Sequence, residues 1–596
     1  MKNQELAKIF YEIANCFEME GVDFKPLAYQ KAALFLEGIE DVEKIYKKGG
    51  LKALEDLPAI GKSIALKIEE YLKNGKIKYY EQIKKQFPID FSGITAVEGL
   101  GPKKIKILYQ KLDIKNLNDL EKAAKLHKIA PLFGFGEKTE KNILEGIAFL
   151  KRSKGRFLLG KIIPVVQEIL DELRSLKEVQ EINVAGSVRR MKETIGDVDI
   201  LVSVGSVFAK ASADAVADFF VSLPGVVKVW SKGPTKSSVR MKDGFDIDLR
   251  IVPAKSYGSG LQYFTGSKEH NIITRKIAIE KGLKLNEYGV FRGSRMLAGR
   301  TEEDVYKAIG LPWIPPEIRE NEGEIEAALK GKLPKFIDYN SIRGDLHCHS
   351  DWDGGENSIE EMTEAAQKMG YEYIGISDHT KFLRIEHGLD EKKLLLQRKE
   401  IDKLNSRLRQ GFGRRLDEVG LWPDEVGGQV KLKILHGCEA NILNDGSVDI
   451  KDEVLAQLDY VIAGIHSNMK MERDRMTERI IKAMKNPNID IIAHPTGRLI
   501  KKRDEYLIDF EKILRAAKET GTILEINSSP IRLDLKDSYI RRAKEMGVKM
   551  VINTDSHHKD QLRFIEFGIA QARRGWAEKE DIINTQSIEK LLEFFE

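Results

Sequence analysis

The sequence predicts a multidomain protein of mixed α+β and α/β class. Its 596 residues are too many to enclose a single hydrophobic core. Short helices joined by glycine-centred turns fill roughly the first 150 residues, and strand-like apolar runs mixed with helices follow. From about residue 343 onward, strand and helix alternate regularly, which is typical of a parallel α/β barrel. We therefore expect a helical N-terminal region, a central α+β region and a C-terminal barrel.

The overall composition is that of a globular protein and selects no partner by itself. The chain has 97 Lys+Arg against 93 Asp+Glu, so its net charge is only +4. The three cysteines, Cys16, Cys348 and Cys438, are too far apart in sequence for a disulfide framework or a cysteine zinc site. No apolar run approaches the ~20 residues that span a bilayer. We therefore expect no membrane association and a location in the reducing cytoplasm.

Three glycine-centred turns, each followed by a helix, recur in the N-terminal region. They read LPAIGKSIALKI at 57–68, VEGLGPKKIKIL at 97–108 and LFGFGEKTEKNIL at 132–144. Free amides and the dipole at a helix start attract phosphate, and neighbouring lysines add positive charge. The pattern resembles the helix-hairpin-helix motif, which binds the DNA backbone without reading sequence. The candidate DNA-binding residues are Gly61, Gly99, Gly101, Lys103, Lys104, Gly134 and Gly136.

Lys67 lies on the helix predicted after the first of these turns. In the N-terminal domain of polymerase beta-like enzymes, a lysine at the matching place attacks an abasic sugar. A partly desolvated amine in a cationic site becomes nucleophilic. The resemblance implies that Lys67 is a lyase nucleophile, although Ser63 replaces a second lysine of that pattern. A solvated helix lysine is the alternative interpretation.

Paired carboxylates mark the central region. The run VAGSVRRMKETIGDVDIL at 184–201 places Asp197 and Asp199 on one face of a strand. Two carboxylates that project together favour a bound cation, and Mg²⁺ prefers carboxylate with phosphate oxygens. This spacing is typical of the nucleotidyltransferase superfamily. A third carboxylate is expected from GFDIDLRIVP, which offers Asp246 and Asp248.

The segment YFTGSKEHN at 263–271 resembles the start of the thumb in family X DNA polymerases. The resemblance favours Asp248 as the third catalytic carboxylate and implies a polymerase beta-like palm and thumb. It also implies that Ser187 and Arg190 bind the triphosphate, and that Tyr263 and Phe264 exclude a 2′-hydroxyl. The nucleotide-binding residues that it implies are Gly186, Ser187, Arg190, Tyr263, Phe264, Gly266, Asn271 and Arg275.

Histidines and carboxylates follow most of the apolar runs of the C-terminal region. The runs are IRGDLHCH, YIGISDH, LKILHGCEAN, YVIAGIH, IDIIAHP, ILEIN and MVINTDSH. Parallel barrels carry their functional groups at the C-terminal ends of the strands. Imidazole with carboxylate suits zinc or manganese. The candidate ligands are His347, His349, His379, Glu439, His466, His494, Asp555 and His557.

These motifs resemble the PHP (polymerase and histidinol phosphatase) family, which implies a distorted (β/α)7 barrel holding up to three Mn²⁺ or Zn²⁺ ions. The family's aspartate after DLHCHS is displaced here, so Asp353 is expected only as a tentative ligand. Asp378 is expected to contact a histidine rather than a metal. Arg498 and the basic residues after it bind DNA phosphate or form a solvated loop.

The domain limits follow from these motifs. They are 1–85 for a helical DNA-binding or lyase-like domain, 86–152 for fingers with helix-hairpin-helix motifs, 153–260 for the palm, 261–318 for the thumb, 319–342 for a linker and 343–596 for the PHP domain. Two stretches, 208–220 and 409–430, look like inserted loops or surface helices.

Together the resemblances imply a monomeric DNA polymerase that fills gaps with deoxynucleoside triphosphates in base-excision or end-processing repair. Its substrates would be gapped or nicked duplex and primer–template. The PHP domain would add a 3′-5′ exonuclease or abasic-site endonuclease. The alternatives are a template-independent RNA nucleotidyltransferase, because the palm pattern is shared, and a DNA-binding scaffold with an inactive barrel.

Overall fold

The computed structural model describes residues 2–38, 42–57, 60–95, 97, 100–152, 155–205, 209–419 and 432–595. They divide into two compact units. One comprises Met1–Lys154 with Lys501–Asp504, and the other comprises Gly155–Ile500 with Glu505–Glu596. Each unit has its own hydrophobic core. None of the described helices is both long and apolar enough to cross a bilayer.

The described part of the N-terminal unit is built from helices alone. They are α1 (Lys2–Glu20), α2 (Lys25–Gly38), α3 (Val42–Glu55), α4 (Lys62–Asn74), α5 (Lys78–Gln86), α6 (Phe91–Thr95), α7 (Pro102–Leu112), α8 (Leu117–Lys125) and α9 (Glu137–Arg152). Leu6, Phe10 and Ile13 lie at helical spacing on α1 and are buried. Helices α4 and α7 begin directly after Gly61 and Gly101, as the turn pattern predicts.

The second unit begins with a mixed sheet covered by helices. Its elements are β1 (Phe157–Leu158), α10 (Leu159–Arg174), β2 (Val179–Val184), α11 (Gly186–Arg189), β3 (Thr194–Ile195), β4 (Asp197–Val204), α12 (Ala209–Val221), β5 (Val226–Ser231), β6 (Lys236–Met241) and β7 (Asp246–Pro253). The five-stranded sheet has the order β2-β4-β7-β6-β5, with β4 and β7 parallel. Val198 and Ile247 face the helices and are fully buried, so the carboxylates beside them lie on the opposite face.

Helix α12 shows which of two alternatives holds for the first expected insertion. Most of the stretch 208–220, interpreted as an inserted loop or surface helix, forms α12 (residue 208 lies outside the described residues). Val216, Ala217 and Phe220 are buried in the core of the sheet region. The apolar periodicity of this helix therefore reflects packing on the sheet. Residues 420–430 of the second expected insertion lie outside the described residues.

A small region of helices and a three-stranded sheet follows. Its elements are α13 (Tyr257–Thr265), α14 (Lys268–Glu280), β8 (Lys284–Asn286), β9 (Gly289–Arg292), β10 (Arg295–Ala298), α15 (Glu302–Ala308) and α16 (Glu324–Leu329). The segment predicted as a linker contributes buried side chains to this region. Arg319 is fully buried and its guanidinium donates to Glu302 at 2.7 Å, while Glu324 bonds to His270 Nδ1 at 2.7 Å.

The rest of the unit is a barrel of parallel strands. The strands are β11 (Gly344–Cys348), β12 (Tyr373–Ile376), β13 (Lys433–His436), β14 (Glu439–Asn441), β15 (Ile462–Gly464), β16 (Ile491–Ile492), β17 (Ile523–Asn527) and β18 (Met550–Asn553). The helices are α17 (Ile359–Lys368), α18 (Glu391–Val419), α19 (Asp452–Leu455), α20 (Arg473–Met484), α21 (Phe510–Thr520), α22 (Asp537–Met546), α23 (Ile565–Arg574) and α24 (Ile588–Leu592).

Only two residues separate β13 from β14, so we count the pair as one irregular strand. With this pair counted once, the barrel has seven parallel strands among the described residues. A bridge between Cys348 and Ser556 joins the first strand to the segment after the last. The expected (β/α)7 barrel is thus confirmed. Its strand ends converge on one side, where the candidate ligands lie.

Candidate active sites

The carboxylates of the sheet region meet on its open face. Asp199 on β4 lies opposite Asp248 on the adjacent parallel strand β7. Burial raises the pKa of Asp199 to about 7, and the negative charges of Asp197 and Asp248 add to this effect. Such mutual repulsion is relieved when the three carboxylates share cations. The arrangement therefore suits divalent metal ions.

Asp246 and Asp248 have different partners, which separates the two candidates for the third carboxylate. Arg240 pairs with Asp246 through two nitrogens, Trp230 Nε1 donates to it at 3.0 Å, and the pKa of Asp246 is lowered, first by Arg240. Asp248 instead accepts from Ser238, and its Oδ2 lies 2.8 Å from Lys236 Nζ. The charge of Asp248 contributes to the raised pKa of Asp199. The geometry thus supports Asp248.

The structure gives a steric reason for a glycine at position 186, which the sequence did not reveal. Its φ is +57°, and a Cβ built on it would lie 2.2 Å from Asp199 Oδ2. Gly186 is among the nucleotide-binding residues that the family resemblance implies. In the structure the Asp199 carboxylate, a candidate metal ligand, leaves no room for a side chain at this position.

The candidate triphosphate residues follow Gly186. Ser187 lies in the single turn α11. The Nε of Arg190 donates to Glu320 at 3.0 Å, and its Nη1 donates to the carbonyl oxygen of Thr265. The positive charge of Arg190 lowers the pKa of Asp199, so the guanidinium lies within electrostatic range of the carboxylates.

The candidate sugar and base contacts surround the junction of α13 and α14. The rings of Tyr263 and Phe264 are 5.2 Å apart and meet edge to face. Asn271 is 7% exposed and donates to the carbonyl oxygen of Tyr263 at 2.7 Å. The guanidinium of Arg275 lies 5.9 Å from the Tyr263 ring. Gly266 has a φ of +72° and ends α13.

Glu439 lies at the centre of the barrel site. Its Oε1 is 3.0 Å from His494 Nε2 and 3.2 Å from His466 Nε2. Its Oε2 is 3.0 Å from His379 Nε2 and 3.4 Å from His347 Nε2. One carboxylate thus faces histidines through both oxygens, which is the geometry of a ligand that bridges metal ions.

The remaining donors join the same cluster. His349 Nε2 lies 3.8 Å from Glu439 Oε2 and 3.4 Å from Asp555 Oδ1. Donor atoms lie within 4.8 Å of one another in four groups of described residues, three of which consist of candidate ligands other than Asp353: His347 with His349 and Asp555, His349 with His379 and His557, and His379 with Glu439 and His466. All eight ligands that the sequence proposes are therefore brought together.

The donor set of the barrel fits metal ions. The Nε2 atoms of His347 and His349 are buried and have no hydrogen-bond partner. Buried polar atoms are rarely left unpaired, and bare imidazole nitrogens next to carboxylates suit a cation. Burial lowers the pKa of His379, but the charges of Glu439 and Asp353 outweigh it and raise that pKa to about 10. A cation bound among these groups would offset the negative charge of Glu439 and Asp353.

Asp353, the tentative metal ligand, contacts two of the candidate histidine ligands and also forms a candidate donor group with His349 and Asp378. Its Oδ2 lies 2.8 Å from the Nδ1 atoms of both His349 and His379. These nitrogens are on the opposite ring edges from the Nε2 atoms that face Glu439. Asp353 therefore orients two ligands, which is the kind of role expected for Asp378. Asp378 instead accepts from Ser350 and Gln397.

Two further orienting residues were missed in the sequence. Glu525 Oε1 lies 2.7 Å from His347 Nδ1, and Glu525 Oε2 accepts from the His494 amide at 2.7 Å. Asn441 Oδ1 lies 2.7 Å from His466 Nδ1. Glu525 could have been found as the charged residue inside the apolar strand ILEIN, because a buried carboxylate needs a partner.

Arg498 is not a DNA contact in this structure. Its guanidinium is buried, pairs with Glu193, and also donates to the carbonyl oxygen of Leu533. A buried arginine that already has these partners has little capacity left to bind phosphate. The expectation that Arg498 belongs to a phosphate-binding or solvated loop is therefore wrong.

The glycine turns of the N-terminal unit have the geometry of phosphate sites. Gly61 and Gly101 occupy the N-cap positions of α4 and α7 without side-chain caps, so the first amides remain available. Gly134 has a φ of +83°. Lys104 Nζ lies 5.8 Å from the Phe135 ring. Helix α9 begins just after Gly136, whereas Gly99 lies outside the described residues.

Lys67 lies between two aromatic rings. Its Nζ is 5.7 Å from the centre of Tyr29 and 5.4 Å from that of Tyr79. It donates to Ser63 Oγ at 3.1 Å and to the Ser63 carbonyl at 3.2 Å. The amine is thus placed by neighbours and does not simply extend into solvent.

These features define a nucleotidyltransferase palm joined to a metal-dependent phosphoesterase barrel. Family models agree with this class. A helix-hairpin-helix domain matches residues 1–77, a SAM-like helix-hairpin-helix tandem matches 91–148, a DNA polymerase beta thumb matches 260–320, and a PHP domain matches 345–529.

The chain belongs to the family X DNA polymerases that carry a PHP domain. It is 35% identical to the "DNA polymerase/3′-5′ exonuclease PolX" of Bacillus subtilis (strain 168), over 100% of this chain and 99% of that protein. A probable phosphatase of Thermoanaerobacter sp. (strain X514) is 34% identical over 27% of this chain and 67% of its own length. A probable phosphatase of Shewanella sp. (strain ANA-3) is 39% identical over 21% of this chain and 50% of its own.

Proposed function

We propose that this protein is a DNA-directed DNA polymerase that fills gaps during base-excision or end-processing repair. The PHP barrel adds a 3′-5′ exonuclease or abasic-site endonuclease activity. The observation that carries the proposal is the presence of two separate, convergent donor sets, three carboxylates in the palm and eight ligands in the barrel, in one chain. A full-length relative named as both polymerase and exonuclease supports it.

In the palm, Asp197, Asp199 and Asp248 would hold two Mg²⁺ ions. Bound Mg²⁺ lowers the pKa of the primer 3′-hydroxyl and neutralises the charge of the leaving pyrophosphate. Ser187 and Arg190 would bind the triphosphate oxygens, because a hydroxyl and a guanidinium both donate to phosphate. Gly186 keeps Asp199 in place by leaving room for it.

The nucleotide sugar and base would contact the start of the thumb. Tyr263 and Phe264 would pack under the sugar and exclude a 2′-hydroxyl, and Gly266 would let the backbone approach. Asn271 would contact the base edge, and Arg275 the template. The hydrogen bond from Asn271 to the Tyr263 carbonyl links these contacts in the free enzyme. Deoxynucleoside triphosphates are therefore the substrates that we propose.

In the barrel, the eight ligands would hold up to three Mn²⁺ or Zn²⁺ ions. Such ions supply Lewis-acid stabilisation of phosphate and activate water at neutral pH. Glu439 would bridge ions, while Asp353, Glu525 and Asn441 fix the orientation of the imidazole rings. A scissile DNA phosphate placed over this cluster would be hydrolysed.

The N-terminal unit would bind the duplex. Its glycine turns, with Lys103 and Lys104, would contact backbone phosphates on gapped or nicked DNA and primer–template. Lys67 would serve as a lyase nucleophile toward an abasic sugar. Because both catalytic sites lie in one chain, a monomer would suffice for both activities. The cysteines Cys16 and Cys348 form no disulfide with a described residue, which suits a reducing cytoplasm. We also propose the domain limits expected from the sequence.

Two substitutions test the division of labour. Asp248→Ala should abolish nucleotide incorporation on a gapped duplex and leave exonuclease activity intact. His347→Ala should do the reverse. Asp246→Asn is the matched control for the palm, because Asp246 is already paired with Arg240, and it should retain most incorporation. The proposal fails if Asp248→Ala still extends a primer, or if purified His347→Ala still degrades DNA.

A further inference from the structure

The palm segment that carries the candidate triphosphate residues is in contact with the barrel through a buried arginine. Arg574, the last residue of barrel helix α23, donates through Nη1 to the carbonyl oxygen of Arg190 at 3.0 Å. The same Nη1 lies 3.3 Å from Glu320 Oε1. Nη2 of Arg574 donates to Asp537 at 2.5 Å, and its side chain is 3% exposed. Arg574 is therefore fixed within the barrel and reaches the palm.

Glu320 connects Arg574 to the side chain of Arg190. It accepts from Arg190 Nε at 3.0 Å and lies 3.5 Å from Lys192 Nζ. Burial raises the pKa of Glu320, but the charges of Arg190, Lys192 and Arg574 outweigh burial and lower it. Glu320 is thus an ionised carboxylate among three cations, two of which lie on the palm and one on the barrel.

The contacts of Arg190 leave one nitrogen of its guanidinium, Nη2, for a ligand. Nε is bound by Glu320, and Nη1 by the carbonyl oxygen of Thr265. No hydrogen bond to a described residue uses Nη2. The charge of Arg190 still lowers the pKa of Asp199, so this group is electrostatically coupled to the catalytic carboxylates. A guanidinium whose Nε and Nη1 are held by the protein is pre-organised to donate from Nη2 to a phosphate oxygen.

We propose that Arg574 of the PHP barrel is a positioning residue for the polymerase site. It fixes the backbone of Arg190 and the carboxylate of Glu320, and Glu320 in turn orients the Arg190 side chain toward the triphosphate of the incoming nucleotide. This inference rests on the proposed polymerase function. It assigns the barrel a task in nucleotide binding that is independent of its own metal site.

The cost of losing Arg574 follows from the ordering of Arg190. Without its barrel partner, Glu320 loses a neighbouring cation and the Arg190 carbonyl loses a donor. Arg190 then samples more rotamers and must be ordered each time a nucleotide binds. Hydrogen bonds to charged groups contribute about 1.5–3 kcal/mol, which corresponds to about tenfold or more in affinity.

Single-nucleotide incorporation on a gapped duplex with a templating adenine and dTTP tests the inference. Arg574→Gln should raise the KM for dTTP about tenfold and change kcat by less than about twofold. Arg574→Lys should give an intermediate KM, because one ammonium cannot reach every acceptor of the planar fork. Glu320→Gln should raise KM like Arg574→Gln, and the double variant should not exceed the larger single effect.

Arg573→Gln is the matched control. Arg573 precedes Arg574 on the same helix and bonds to Glu317 at 2.7 Å and to the carbonyl oxygen of Ile337 at 2.7 Å, but does not contact Arg190. Its KM for dTTP should equal that of the parent protein. Exonuclease activity, metal content and the unfolding temperature of each variant report on the integrity of the barrel.

Three results would overturn the inference: a KM in Arg574→Gln equal to that of the parent, an equal rise in Arg573→Gln, or a parallel loss of exonuclease activity. If Arg574→Gln does not fold, Glu320→Gln and Arg574→Lys decide the question by the same criterion. A parent protein that incorporates no nucleotide would instead refute the proposed polymerase function, so the two failures are distinct.

Discussion

Glu439 shows how one side chain can organise a whole site. Both of its oxygens face histidines, and no other carboxylate in the described barrel lies within 4 Å of as many imidazole Nε2 atoms. Burial raises the pKa of Glu439, but the surrounding histidines lower it well below its usual range. The carboxylate therefore stays ionised and available to bridge cations.

Glu439→Gln should remove the bridge, because a carboxamide is neutral and binds metal through one oxygen only. We expect the purified variant to hold fewer metal ions and to lose exonuclease activity, without recovery in excess Mn²⁺. Elemental analysis and a nuclease assay over a Mn²⁺ titration check this.

Glu525→Gln is the matched comparison, because Glu525 orients His347 from the far side of its ring. Loss of such an orienting partner typically costs about 10–100-fold in metal affinity, so excess Mn²⁺ should restore activity. If both variants recovered equally, Glu439 would not be a bridging ligand.

Asp490 provides a pH-dependent test at a position that is not a candidate ligand. Burial raises its pKa to about 7, and its Oδ2 accepts from the Val461 amide at 2.7 Å. Because the folded pKa exceeds the unfolded one, folding binds a proton between the two values. The contribution of Asp490 to stability therefore falls as the pH rises from about 4 to about 7.

Asp490→Asn keeps the hydrogen-bond acceptor and removes this titration. The variant should gain a few degrees in unfolding temperature relative to the parent between about pH 5 and about pH 8. Thermal unfolding of both proteins across that range measures the difference. A difference that does not change with pH would show that Asp490 titrates normally.

At the scale of elements, the turn from β2 into α11 links chain geometry to the palm carboxylates. The turn needs a positive φ at Gly186 and leaves no space for a Cβ beside Asp199. The same element then presents Ser187 and leads into Arg190. One short turn thus positions groups that we propose for both metal binding and triphosphate binding.

Gly186→Ala should displace Asp199 and reduce incorporation at least about a hundredfold, since a shift of about 1 Å in a reacting group can cost that much. Exonuclease activity should remain. Gly196→Ala is the control, because a Cβ there would make only ordinary contact, 3.5 Å from Arg156. Equal incorporation by the two variants would contradict the steric role of Gly186.

At the scale of the whole molecule, the palm and the barrel share a hydrophobic core. Leu533 and Phe567 of the barrel are buried in the cluster that includes Val198 and Ile247 of the palm sheet. Arg498 and Gln571 of the barrel both bond to Glu193 of the palm. The palm and the barrel are therefore packed together. We expect some substitutions at the surface between them to change nucleotide incorporation without changing nuclease activity.

The sequence alone determined which side chains are the candidate metal donors of both sites. Strand alternation placed Asp197 with Asp199 and His347 with His349, and family motifs identified the order of the domains. These inferences depend on local periodicity and on residue types with strong metal preference, and both can be read without coordinates.

Only the tertiary structure decided which residues serve the ligands and what the intervening segments do. Asp353 and Glu525 contact imidazole rings, and one of the rings that Asp353 contacts belongs to a residue after another strand. Gly186 has no side chain and so leaves room for Asp199, thirteen positions later in the chain. Arg498 is buried against the palm. Such roles depend on contacts between segments distant in sequence. Spacing along the chain does not encode them, because only packing of the folded elements brings those atoms together.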